Sequence, residues 1–188
     1  MKKEDSVLLV VDVQENIIDT IVGRREVIMN LKAIIEASIV LKIPILATEQ
    51  EKLGKIAQEI SRLLPDDVSR FKKLAFSCAE IPEFKSKLKV SGRRTVIVGG
   101  IETHICVMQT ALDLLKLGFS VVVVRDATSS HGVIDRETAL DRMRDTGAKI
   151  ATSESIIYEL MGEAGTPEFR KILSIIKDLR ASRDSVAS

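Results

Sequence analysis

Tryptophan is absent from this chain of 188 residues, and aromatic side chains make up only 3% of it. Stacking platforms for bases or sugars therefore have few candidates. Cysteine and histidine are also scarce, with two of each. Cys78 and Cys106 cannot build a disulfide framework, and neither belongs to a metal-type CxxC pair. With only His104 and His131, a histidine-dominated metal site lacks its ligands. Long apolar runs are missing too. The opening MKKEDSVLLVVDVQ begins basic, turns acidic, and ends its short apolar run at Asp12. That is too short for a signal-peptide core or a membrane span. The expectation is a cytoplasmic protein whose thiols stay reduced. Finally, no charge of one sign predominates: 28 Lys+Arg against 27 Asp+Glu leave a net charge of +1. Nothing would steer such a chain toward phosphate or an anionic membrane, so neither nucleic acid nor membrane is expected as a partner. The adjacent pairs Arg24-Arg25 and Arg93-Arg94 read as solvated charges rather than as a basic patch.

What is present is a soluble-protein composition, 45% apolar and 29% charged, in a length that suits one domain. Short apolar runs alternate with helical periodicity, which predicts a parallel sheet covered by helices on both faces. Strands are expected at Val7–Val11, Lys42–Thr48, Val68–Phe71 (weak), Thr95–Gly100, Val121–Val124 and Lys149–Thr152. Helices are expected over Glu26–Leu41, Gly54–Leu64, Ile81–Val90, Thr103–Leu117, Asp135–Thr146 and Ser155–Met161. A last helix should start at Thr166-Pro167-Glu168, with Phe169, Ile172, Leu173, Ile176 and Leu179 on one apolar stripe. That stripe and the near-neutral charge also suggest a homo-oligomer, although packing of the stripe on the sheet is an equal alternative. Residues 1–180 thus read as one domain, and 181–188 as a frayed polar tail.

In doubly wound sheets, ligands bind beyond the carboxyl ends of the strands. Asp12 follows the first strand, Lys73 the third, and Cys106 lies in the first turn of the helix after the fourth. Unpaired N–H groups at such a helix start lower a thiol pKa. Asp12 is the candidate base for the cysteine, and Lys73 could hold carboxylate and thiolate charged. Taken singly, each residue has another reading. Cys106 can be a buried core thiol, Asp12 a turn cap, and Lys73 a solvated charge.

The motifs around them resemble the isochorismatase-like cysteine hydrolases. Val11-Asp12-Val13-Gln14, Thr48-Glu49-Gln50, Phe71 to Ser77, Gly99 to Val107 and Arg125 to Ser130 match family landmarks in order, from Val7 to about Leu160. The branch it is most similar to holds isochorismatase domain-containing proteins and related bacterial hydrolases. The resemblance implies a single-domain three-layer α/β/α fold with a six-stranded, mainly parallel sheet in the order 3-2-1-4-5-6. It also implies a Cys106 nucleophile, Asp12 as general base and acid, and Lys73 lowering the thiol pKa and orienting the pair. It further implies a cis peptide between Ile101 and Glu102, and an oxyanion hole from the N–H groups of Glu102 and Cys106. Gln14, Glu49, Gln50 and His131 become substrate-pocket candidates.

A small-molecule amide or similar carbonyl would be attacked to give a thioester, which water then releases. The nicotinamidase branch places metal ligands around the second and third strands, but the stretch from Thr48 to Phe71 has no histidine. No metal and no cofactor are expected. His104 is read as packing behind the thiol, and Cys78 as a packed second thiol. Two alternatives stand beside the hydrolase: a silent binding or assembly module on the same fold, and an isochorismate-type vinyl-ether hydrolase.

Overall fold

Strands made of unbroken apolar runs have no solvent face, so both sides of their sheet must be covered. In the computed structural model, which describes residues 1–187, six strands satisfy that demand. They are β1 (Ser6–Val11), β2 (Ile45–Gln50), β3 (Ser69–Lys73), β4 (Thr95–Ile101), β5 (Ser120–Ser129) and β6 (Lys149–Ala151). Their order is β3-β2-β1-β4-β5-β6, and every pairing is parallel. The helices are α1 (Glu15–Ile18), α2 (Arg24–Val40), α3 (Gln58–Ser61), α4 (Pro82–Ser91), α5 (Met108–Lys116), α6 (Val133–Asp145), α7 (Ser153–Met161) and α8 (Phe169–Ala187).

Side chains alternate across a strand, and β1 divides its residues accordingly. Leu8 and Val10 pack with Leu31, Ile34 and Ile35 of α2 and with Ile156 and Ile157 of α7. Val7, Leu9 and Val11 pack with Phe84 and Leu88 of α4, Ala111 and Leu114 of α5, and Leu140 and Met143 of α6. The result is the expected three-layer α/β/α arrangement.

Two expectations about the C-terminus change. Ile172, Ile176 and Leu179 of α8 are buried in the same core as α2, each burial stabilising by about 1.5–3 kcal/mol, so the stripe is not an assembly surface. The segment expected to fray is helical from Ala181 through Ala187, while Ser188 lies outside the described residues. The reason is a polar anchor that composition does not reveal. The Arg183 guanidinium donates to Asp126 (2.7 Å) in β5 and to Asn30 (2.8 Å) in α2, and Arg180 pairs with Glu154.

Other boundaries move for local reasons. β5 continues past Val124 because its charged residues have partners: Arg125 pairs with Glu137 at 2.6 Å, and Asp126 accepts from Ser153 N at 2.7 Å. The helix expected from Gly54 contracts to α3. Gly54 sits at φ +81° and Ile56 makes an antiparallel bridge to Gln14, so the chain turns there before it can coil.

Candidate active site

The strand order reverses between β1 and β4, and there the connections leave in opposite directions and open a crevice. The two strands run in register, with Val11 opposite Gly100. A Cβ on Gly100 (φ +128°) would lie 2.1 Å from the Val11 carbonyl oxygen and 2.6 Å from its nitrogen. Glycine at that position lets the ends of β1 and β4 come together. Beyond them Asp12 adopts a left-handed φ of 48°, and Cys106 lies in a π-helical turn, Thr103–Val107, that leads into α5. Such wide turns recur at functional sites. The peptide between Ile101 and Glu102 is cis. Thr128 braces the segment, bonding Thr103 Oγ1 at 2.9 Å and donating to the Gly100 carbonyl at 2.7 Å.

Lys73 is the last residue of β3, two strands from Asp12, and its side chain reaches across β2. Its ammonium lies 2.6 Å from Asp12 Oδ2 and 3.4 Å from Cys106 Sγ. It also donates to Gln50 Oε1 (2.6 Å) and to the carbonyls of Phe76 (3.0 Å) and Ala75 (3.3 Å). Asp12, Lys73 and Cys106 are all buried, at 1%, 3% and 6% exposure, so these contacts act with little water to screen them. Thr48 donates to Asp12 Oδ1 at 2.8 Å and accepts the thiol of Cys78 at 3.6 Å. Cys78 is thus a packed thiol behind Asp12.

The electrostatics correct one expectation. The Cys106 thiol is not lowered but pushed up to about 12, first by burial and then by the Asp12 charge and its hydrogen bond. Lys73 pulls in the other direction, without prevailing. Burial works to lower the Lys73 ammonium as well, but Asp12 and then the two thiols outweigh it and hold its pKa above the ordinary lysine value. The resting site is therefore an Asp12–Lys73 ion pair beside a protonated thiol. Cys78, fully buried, is raised to about 11 for the same leading reason, burial.

The pocket candidates separate into lining and scaffold. A cavity of about 300 Å³ opens on Cys106, lined by Asp12, Ile17, Gln50, Leu53, Phe76 and Ile105, with Ile101, Glu51 and Glu102 completing it. Of the four residues proposed from sequence, only Gln50 lines it. Gln14 is buried and clamps the Gln50 backbone from both sides, accepting from its N–H (2.8 Å) and donating to its carbonyl (3.0 Å). Glu49 accepts from Ile56 N at 3.2 Å and supports the loop after β2. His131 lies outside the lining, with its N–H on Glu102 Oε2 (2.8 Å) and its ring on the Thr20 carbonyl (3.0 Å). His104 bonds Ser130 at 3.0 Å. The apolar walls Ile17, Leu53, Phe76 and Ile105 carry no sequence signal beyond hydrophobicity, and reasoning from motifs missed them. Among the described residues, no group of three or more His, Cys, Asp or Glu could hold a metal ion.

The isochorismatase domain model matches residues 6–155. The secreted isochorismatase effector Isc1 of Phytophthora sojae is 41% identical over 179 residues, covering 92% of this chain and 85% of that protein. Isochorismatase domain-containing protein 2 of Xenopus laevis is 37% identical, covering 94% and 85%. Among solved structures, the MAR1 ribonuclease of Caenorhabditis elegans superposes with a TM-score of 0.90 at 36% identity, over 94% of this chain and 91% of that one.

Proposed function

Because this chain belongs to the isochorismatase family of hydrolases, we propose that it is a cysteine hydrolase acting on an amide-like C–N bond of a small molecule, with Asp12, Lys73 and Cys106 as its catalytic residues. The observation that carries this reading is the convergence of three side chains from three strand ends. One ammonium lies 2.6 Å from a carboxylate and 3.4 Å from a thiol, and that carboxylate and thiol line a cavity large enough for a small substrate. Since the resting thiol is protonated, Asp12 acts as a general base at the moment of attack rather than on a preformed thiolate. Sγ bonds to the carbonyl carbon while its proton passes to Asp12. The oxyanion is received by the N–H groups of Glu102 and Cys106, a stabilisation of the kind that is often the largest in acyl transfer. Asp12 then gives that proton to the departing nitrogen as the C–N bond breaks and the thioester remains. A water deprotonated by Asp12 attacks the thioester, the C–S bond breaks, and Asp12 returns the proton to the Cys106 sulfur as the acid leaves. Lys73 stays protonated throughout and keeps the carboxylate ionised between steps.

In this reading the enzyme uses neither metal nor cofactor, works in the cytoplasm, and self-associates. Self-association draws support from exposed apolar side chains such as Leu74, Val133 and Ile134, and the free thiols Cys78 and Cys106 suit a reducing compartment. No helix among the described residues is long and apolar enough to cross a membrane. Nucleic acid is not a partner in this reading, since the cavity carries Glu51 and Glu102 rather than a basic track.

The test is acyl trapping. Incubation with an activated acyl donor, p-nitrophenyl acetate, should leave one acetyl group on Cys106, seen by intact-mass and peptide mass spectrometry. The adduct should be absent in Cys106→Ala and persist longer in Asp12→Asn. Turnover of the donor should survive prolonged chelation. An acetylated Cys78, or undiminished turnover in Cys106→Ala, would reject the reading and favour a silent module. Activity lost on chelation and restored by one metal would also reject it.

A further inference from the structure

The cavity at Cys106 combines two properties that together select a substrate class. Its walls are apolar: Ile17, Leu53, Phe76, Ile101 and Ile105 account for half of the ten lining residues. Its charged lining is wholly acidic, since Asp12, Glu51 and Glu102 line it and no lysine, arginine or histidine does. The nearest cation, Lys73, is committed on every side: to Asp12, to Gln50 Oε1, to the carbonyls of Ala75 and Phe76, and to the thiol. It has no donor left for an incoming carboxylate, because an ammonium has three. The imidazole of His131 is engaged with the Thr20 carbonyl, and only the His131 backbone N–H meets Glu102.

The same ammonium also shapes the wall. By gripping the carbonyls of Ala75 and Phe76, and with Gln50 Nε2 donating to the Leu74 carbonyl at 2.8 Å, the site pins the loop after β3. Phe76 is then held at the mouth of the cavity, 51% exposed although it is a large apolar side chain. A ring left half in water beside a nucleophile gains burial when an apolar substrate covers it.

From these observations we infer that the site accepts small amides with an apolar, uncharged or cationic tail and discriminates against substrates that carry a carboxylate near the scissile bond. Phe76 is the specificity-determining contact for the tail, and Glu51 and Glu102 supply the charge selection. A carboxylate entering here would lose water and meet like charges with no cation to receive it, the arrangement by which sites reject wrong partners. The inference rests on Cys106 being the nucleophile, so its test must separate the two.

Three N-substituted chloroacetamides of matched length, with butyl, aminobutyl and carboxypropyl tails, serve as probes at low salt. Labelling of Cys106 is followed by intact mass. The butyl and aminobutyl probes should react faster than the carboxypropyl probe by about tenfold or more, the low end of what a like charge at a contact imposes. Glutathione supplies the reference for intrinsic reactivity. Glu51→Gln should raise the carboxypropyl rate severalfold, and Phe76→Ala should slow the butyl probe by a larger factor than it slows plain chloroacetamide. Equal rates for the three probes, or a preference for the carboxypropyl tail, would overturn the substrate class yet leave Cys106 as nucleophile. A carboxypropyl preference would favour the vinyl-ether reading of an isochorismate-like acid. Failure of every probe at Cys106, with glutathione reacting normally and with p-nitrophenyl acetate leaving no acetyl group on Cys106 either, would overturn the nucleophile assignment and this inference with it.

Discussion

Replacing Asp12 with Asn should make the enzyme slower and its cysteine more reactive at the same time. In the native site burial, and after it the Asp12 charge that balances Lys73 at 2.6 Å, leave the thiol at about 12 although an ammonium lies only 3.4 Å away. The asparagine side chain would remove the carboxylate charge but keep its shape. Lys73 would retain Gln50 Oε1 and the carbonyls of Ala75 and Phe76 as acceptors, and so remain protonated near neutrality. At an effective dielectric constant of about 20, a unit charge 3.4 Å away is worth about 5 kcal/mol. Allowing half of that for relaxation and entering water leaves about 2.5 kcal/mol, or about two pKa units. That gain is the loss of the Asp12 repulsion seen from the other side and not an addition to it, so the thiol should fall to about 10.

At pH 8 the thiolate fraction then rises about 100-fold, while the weaker basicity of the sulfur costs about tenfold in intrinsic nucleophilicity. Iodoacetamide should therefore label Cys106 about tenfold faster in Asp12→Asn than in the native protein. Turnover of an acyl donor should drop by about 10²–10⁴, because the proposed general base is gone. Both rates are read on one preparation, by quenched labelling and by product release, with circular dichroism to verify the fold. Alkylation that slows in parallel with turnover would refute this account of the charges. It would mean that Asp12, not Lys73, governs thiolate formation toward every electrophile.

Lys73→Met leaves the Asp12 carboxylate buried without its cation, a change that typically costs about 3–5 kcal/mol. Urea unfolding should show that deficit at pH 7; a variant as stable as the native protein would contradict the ion pair. In the native protein the raised Lys73 pKa stabilises the fold fully below the ordinary lysine value of about 10.4, and the contribution is lost as pH climbs through the folded value. Gly100→Ala forces a Cβ to within 2.1 Å of the Val11 oxygen at φ +128°, so it should destabilise by about 3 kcal/mol or more, read as a lower Tm and weak soluble expression. Arg183→Ala removes the donor to Asp126 and Asn30 and should cost about 1–3 kcal/mol. Hydrogen exchange should quicken in α8 while amides of β1 and β4 stay protected.

Where sequence and structure agree, the signal is local and repeated. Val7–Val11 and Val121–Val124 can only be strands buried on both faces, and Asp12, Lys73 and Cys106 stand at or just beyond strand ends that a parallel sheet must bring to one edge. Where they part, the deciding partner lies far along the chain. Asp126 keeps β5 extended because Ser153 and Arg183 satisfy it from 27 and 57 residues away. Residues 181–187 stay helical because of the same arginine, whereas composition, which sees a mostly small and polar stretch there, suggests fraying. Gln14 and Glu49 lie in the right motifs but turn to backbone atoms of the loop after β2, a choice fixed by the Gln50 and Ile56 amides rather than by side-chain type.

The thiol shows the same limit in electrostatic form. A cysteine near a helix start with a lysine in reach reads as acidified, but burial pushes this thiol up first, and Asp12, which also touches the lysine, pushes it up further. The consequence is functional. A site that stored a free thiolate would alkylate with any passing electrophile, whereas one that holds the proton until Asp12 can accept it couples reactivity to a substrate seated in the oxyanion hole. If that coupling operates, native Cys106 should react with iodoacetamide at a rate that keeps climbing from pH 7 to pH 10, whereas acyl turnover levels off well below that. A labelling rate that reached its plateau near pH 7 would instead reveal a thiolate at rest, and with it a different division of labour between Asp12 and Lys73.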